Sequence, residues 1–159
     1  LGLAGISPPS QAFDLSTLNG TNGFTINGVA GNDQIGNRVS DLGDVNGDGF
    51  DDILLATSVA DPNGLISAGA AYIVFGSNQG FPAELELSSL DGSNGYIIEG
   101  LVANDRLGTG ASGLGDVNND GLDDFVLGAS DADPGAVSGA GTSYVIFGAS
   151  GLGSSGELE

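Results

Sequence analysis

The 159-residue sequence contains no cysteine and no histidine. Those absences exclude disulfides, thiolate nucleophiles, imidazole general bases, and zinc, haem or iron sites built on His or Cys ligands. Positive charge is almost as scarce. The only cations are Arg38 and Arg106, against 21 acidic residues, and the formal charge is −19. A protein that tracks nucleic-acid phosphates or an anionic lipid surface needs the opposite balance, so neither is an expected partner. No apolar run approaches the roughly 18 residues of a membrane-spanning helix, so membrane insertion is not expected. Any metal held by this chain is a hard ion held by oxygen.

What the sequence does have is enough apolar material for a core, 40% hydrophobic residues, and 30 glycines that are spaced rather than clustered. Spaced glycines read as turns. Slid against itself, the chain matches without gaps at an offset of 72 residues, which sets Asp44 on Asp116 and Tyr72 on Tyr144. About half of the positions between residues 18–76 and 90–148 are then identical. Such a period marks a supersecondary unit that stacks on its neighbours to bury its apolar face. Each unit reads as short strands between glycine turns: residues 23–28 and 95–100, small-residue stretches 36–43 and 108–115, apolar runs 52–56 and 124–128, and aromatic, β-branched runs 71–76 and 143–148. No 3.6-residue periodicity supports a helix. The expected class is all-β.

The most informative segment runs from Asp44 through Asn46, Asp48 and Phe50 to Asp52, and returns as Asp116, Asn118, Asp120, Leu122 and Asp124. Oxygen side chains stand at positions 1, 3, 5 and 9, with glycine (Gly49, Gly121) at position 6. Calcium takes six to eight oxygens in flexible geometry, at about 2.3–2.6 Å, and suits several carboxylates better than magnesium does. Asn-Gly and Asp-Gly are also ordinary turn dipeptides, but two copies at one spacing weigh against that reading. A helical calcium loop needs an acid at position 12. Here that position holds Leu55 and Leu127, each inside an apolar strand-like run.

Ile35-Gly36, the Asp-x-Asn-x-Asp-Gly-x-x-Asp loop and Ala56-Thr57-Ser58, echoed by Leu107-Gly108 through Gly128-Ala129-Ser130, resemble the FG-GAP repeat of integrin-α-type β-propellers. Phe is replaced by Ile35 and Leu107, and the final Pro by Ser58 and Ser130. The resemblance covers about residues 14–148. It implies blades of four antiparallel strands, with the calcium loop joining the first two strands. It implies two calcium ions per chain, held by the side chains of Asp44, Asn46, Asp48 and Asp52 with the carbonyl of Phe50, and by Asp116, Asn118, Asp120 and Asp124 with the carbonyl of Leu122. Asp51 and Asp123 then point away and are solvated.

In the family's order, 1–13 is an N-terminal extension and 14–35 carries the outer strand of a permuted blade and a linker. Residues 36–107 form the first repeat, 108–150 an incomplete second, and 151–159 a tail. Two blades do not close a ring. Closure is expected either by self-association into a trimer or tetramer or by adjacent blades of a longer parent chain. The implied function is a non-catalytic calcium-binding module of a secreted or cell-surface protein, on a bacterial surface, used for adhesion or for binding a protein or glycan. A structural spacer is the alternative, and part of a polysaccharide- or lipid-cleaving enzyme a lesser one. For the two arginines the expected role is local charge balance.

Overall fold

A computed structural model describes residues 12–152; the ends of the expected extension and tail, 1–11 and 153–159, lie outside them. Among the described residues there is no α-helix, only strands and short 3-10 turns. The first sheet contains β2 (Arg38–Gly43), β3 (Asp52–Thr57), β4 (Ala70–Val74) and β6 (Gly95–Glu99), in that order and antiparallel throughout. The second contains β7 (Leu107–Gly115), β8 (Asp124–Ala129) and β9 (Thr142–Ile146), also antiparallel. Neither sheet closes into a barrel, and no ring is formed among the described residues.

The 72-residue offset governs the backbone as well as the sequence. The 3-10 turns at Leu15–Thr17 and Pro62–Gly64 recur at Leu87–Ser89 and Pro134–Ala136, and β3 and β4 recur as β8 and β9. One element was not expected. Glu84–Glu86 forms a short strand, β5, paired in parallel with β1 (Thr25–Asn27).

Strand alternation sends side chains to opposite faces, and each face of the first sheet has its own core. Leu54, Ala56, Ala71, Ile73 and Phe75 meet Phe125, Leu127 and Ala129 of the second sheet. Tyr96 and Ile98 of β6 pack onto the same cluster. On the other face, Leu55, Ala70, Tyr72 and Val74 are covered by Leu85 and Leu87, with Phe24, Ile26, Ile35 and Phe81 around them. Phe24 and Phe81 stack with ring centroids 4.2 Å apart. The two sheets therefore pack face to face, β7 lying against β2 and β3.

Candidate metal centre

The two acidic loops are the connections between β2 and β3 and between β7 and β8. Each opens where a strand ends in a left-handed glycine, Gly43 (φ +66°) or Gly115 (φ +70°). The glycine at position 6 also has positive φ, +90° at Gly49 and +95° at Gly121. An L side chain is strained there, so the tight turn that gathers the acids depends on glycine.

Inside the first loop the carboxylates are held by backbone N–H groups. Asp44 Oδ1 accepts from Gly47 at 2.7 Å and Asp48 at 3.1 Å, and its Oδ2 accepts from Gly49 at 2.9 Å. Asn46 Oδ1 accepts from Asp48 N at 2.8 Å, and Asn46 Nδ2 donates to Asp48 Oδ2 at 3.1 Å. Asp48 Oδ1 accepts the Phe50 N–H at 2.9 Å. Asp52 closes the loop from within the sheet. Its oxygens accept from Val45 N at 3.1 Å and Gly76 N at 2.9 Å, which anchors the loop to the end of β4.

The second loop repeats this network. Asp116 accepts from Asp120 N and Gly121 N at 3.1 and 2.9 Å, and Asn118 bridges to Asp120 through both ends of its amide. Asp120 accepts the Leu122 N–H at 2.9 Å. Asp124 accepts from Val117 N at 2.8 Å and Gly148 N at 2.9 Å. Asn119, at φ +63°, takes the place of Gly47. The environments differ. Asp44 and Asn46 are half-buried beneath the second repeat, whereas Asp116 and Asn118 are exposed.

Asp52 and Asp124 are both buried. Burial pushes the Asp52 carboxyl up to about 6, and the charges of Asp48 and Asp44 push the same way, against the two N–H bonds it accepts. Burial first, and the Asp52 charge second, raise the Tyr96 phenol. Its buried Oη has no hydrogen-bond partner among the described residues.

Among the described residues no three acidic side chains converge as a ready-made metal cage. The donor chemistry nevertheless fits a hard cation: three carboxylates and one amide oxygen within nine residues, the carboxylates oriented by N–H groups and lacking a cationic partner. Carboxylate oxygens have lone pairs beyond those the N–H groups use, and calcium tolerates the irregular geometry that results.

Two side chains depart from expectation. Asp123 is not simply solvated: its Oδ2 accepts the Asp44 N–H at 2.9 Å. Its repeat counterpart Asp51 is exposed. Arg106 balances Asp131 at 3.4 Å, but Arg38 has no acidic partner among the described residues and donates to the carbonyls of Thr109 and Asn37, both at 3.0 Å. The three tyrosines do not assemble a catalytic group. Tyr72 lies in one core and Tyr96 against the other, while Tyr144 is exposed on β9.

Residues 37–74 match the FG-GAP repeat family model. Over 109 residues, 66% of this chain, the sequence is 36% identical to integrin alpha-PS2 of Drosophila melanogaster, covering 7% of that protein. It is 31% identical over 105 residues to phosphatidylinositol-glycan-specific phospholipase D of Mus musculus, 66% of this chain and 12% of the relative. It is 32% identical over 99 residues to integrin alpha-2 of Mus musculus, 62% of this chain and 8% of the relative. The chain thus spans a small part of each relative's length. With an FG-GAP match, integrin relatives and antiparallel sheets carrying the same loop twice, the chain belongs to the FG-GAP, integrin-alpha-like family.

Proposed function

We propose that this chain is a calcium-binding, non-catalytic module of β-propeller blades, part of a secreted or cell-surface protein that uses it for adhesion or for binding a protein or glycan ligand. The observation that carries the reading is the twice-built loop, in which backbone N–H groups hold an oxygen donor set and no cation of the protein offsets its charge. Asp44, Asn46, Asp48 and Asp52 with the Phe50 carbonyl form one site, and Asp116, Asn118, Asp120 and Asp124 with the Leu122 carbonyl the other. The ion rigidifies the hairpin loop and performs no chemistry.

Extracellular calcium modules bind with dissociation constants of about 10⁻⁴–10⁻³ M, so the sites fill where calcium is plentiful. At about 2 mM calcium such affinities stabilise the native state by on the order of 1–2 kcal/mol per site. Thermal unfolding in calcium, in magnesium and in chelator tests this. Calcium is expected to raise the Tm more than an equal concentration of magnesium does, and an unchanged Tm overturns the reading. The phospholipase D relatives place similar sequence within an enzyme's length. On this account the segment serves there, as here, as a binding or structural module.

A further inference from the structure

The seam between the two sheets is a template for a second seam that one copy of the chain leaves unmade. In the first sheet, Leu42, Val45, Ile73 and Phe75 are buried against the second sheet at 0–6% exposure. Their counterparts 72 residues later, Leu114, Val117, Val145 and Phe147, are 41–54% exposed. The complementary face behaves the same way. Ala111 of β7 packs into the seam, whereas Val39, its counterpart on β2, is 62% exposed.

The strand edges agree. In the first sheet β6 is the fourth strand, pairing with β4 so that Tyr72 opposes Ile97. In the second sheet β9 has a free outer edge among the described residues. The counterpart of β6 one repeat earlier is β1, which among the described residues pairs with β5 on one edge only. Phe24 and Ile26 lie against the far face of the first sheet as Tyr96 and Ile98 lie against the seam. Among the described residues, β1 thus occupies the position of a fourth strand without the other three of its sheet, and β9 belongs to a sheet without a fourth strand.

Resting on the blade reading above, we propose that the second sheet of one copy docks onto the first sheet of another, with β9 pairing antiparallel to the second copy's β1. Carrying the β4–β6 register over by one repeat opposes Tyr144 to Thr25, Val145 to Phe24 and Ile146 to Gly23. The loop contact is carried over too. Within the chain Asp44 N–H donates to Asp123 Oδ2 and Asp123 N–H to the Asp44 carbonyl. Their counterparts, Asp116 and the exposed Asp51, meet only between copies. The inner strands differ in side-chain size: on β2, Val39 and Asp41 stand where the chain's own seam has Ala111 and Gly113, and at Gly113 an added Cβ would come within 2.5 Å of the Asp41 carbonyl oxygen. The seam between copies is correspondingly wider at the inner strands, and Asp41→Gly tightens it. Because the two faces differ, the contact is heterologous, and it ends only when a ring closes. Chains of −19 charge repel, so calcium and salt both favour assembly.

Light scattering on the unmodified 159-residue chain, in calcium at near-physiological salt, is expected to give a discrete closed oligomer, which Val145→Asp converts to a folded monomer. The register is tested by cysteine pairs, read cleanly because the chain has no cysteine. Thr25→Cys with Tyr144→Cys is expected to give inter-chain disulfides on oxidation. Thr25→Cys with Ser143→Cys, one residue off and on the opposite face, is expected to give none. A monomer at all concentrations without cross-links overturns the proposal and leaves the faces to neighbouring blades of a longer chain. Equal cross-linking of both pairs overturns the register. Calcium-induced Tm shifts on the same samples separate either failure from failure of the calcium reading.

Discussion

Asp44 and Asp123 are joined reciprocally: the Asp44 N–H donates to Asp123 Oδ2 at 2.9 Å, and the Asp123 N–H donates to the Asp44 carbonyl at 3.1 Å. This pair ties the first acidic loop to the second repeat. It also explains why β2 ends in Gly43, since a Cβ there would overlap the Asp123 carboxylate.

Asp123→Ala leaves the half-buried Asp44 N–H without its acceptor, and a loss of about 1–3 kcal/mol is expected. Asp51→Ala, at the same position of the first repeat, is expected to cost less than about 0.5 kcal/mol where the chain is monomeric. Urea unfolding of the two variants in parallel checks the contrast, and equal losses would contradict it.

Metal-free stability is expected to fall as pH rises. The folded Asp52 carboxyl titrates near 6, above its ordinary value of 3.8, so between those values the native state holds a proton that the unfolded chain releases. That contribution is fully present below about pH 4 and is lost as pH rises through about 6, amounting to about 3 kcal/mol. Unfolding at several pH values in chelator, for the parent and Asp52→Asn, isolates the effect. The parent should lose stability relative to the variant across this window, and parallel profiles would contradict the assignment.

Tyr96→Phe is expected to stabilise the fold or leave it unchanged, by up to about 1 kcal/mol, because the buried Oη it removes has no partner among the described residues. The repeat supports this directly, with Phe24 at the equivalent position. The Phe75–Tyr96 ring contact, 5.8 Å between centroids, survives the change. A thermal melt suffices, and a clear loss of stability would mean the hydroxyl does pair with a group or a water.

Much of this was legible because it is local. Compact apolar runs, aromatic and β-branched runs and glycine spacing mark β3, β4, β8 and β9, and the ordered oxygens of Asp44 to Asp52 mark the loop. β5 was not legible: Glu84-Leu85-Glu86 is too short to show a period, and it becomes a strand only by pairing with β1 across 59 residues. Asp51 and Asp123 make the same point within one motif. Their local sequences match, yet Asp51 faces solvent while Asp123 meets the Asp44 amide. Strand alternation gives the side a residue faces, not what lies there.

The most direct test is calcium titration by isothermal calorimetry of the parent, of Asp48→Ala and Asp120→Ala, and of the double variant. Two sites in the parent, one in each single variant and none in the double is the expected result. Undiminished calcium binding in the double variant, or none in the parent, would contradict the account.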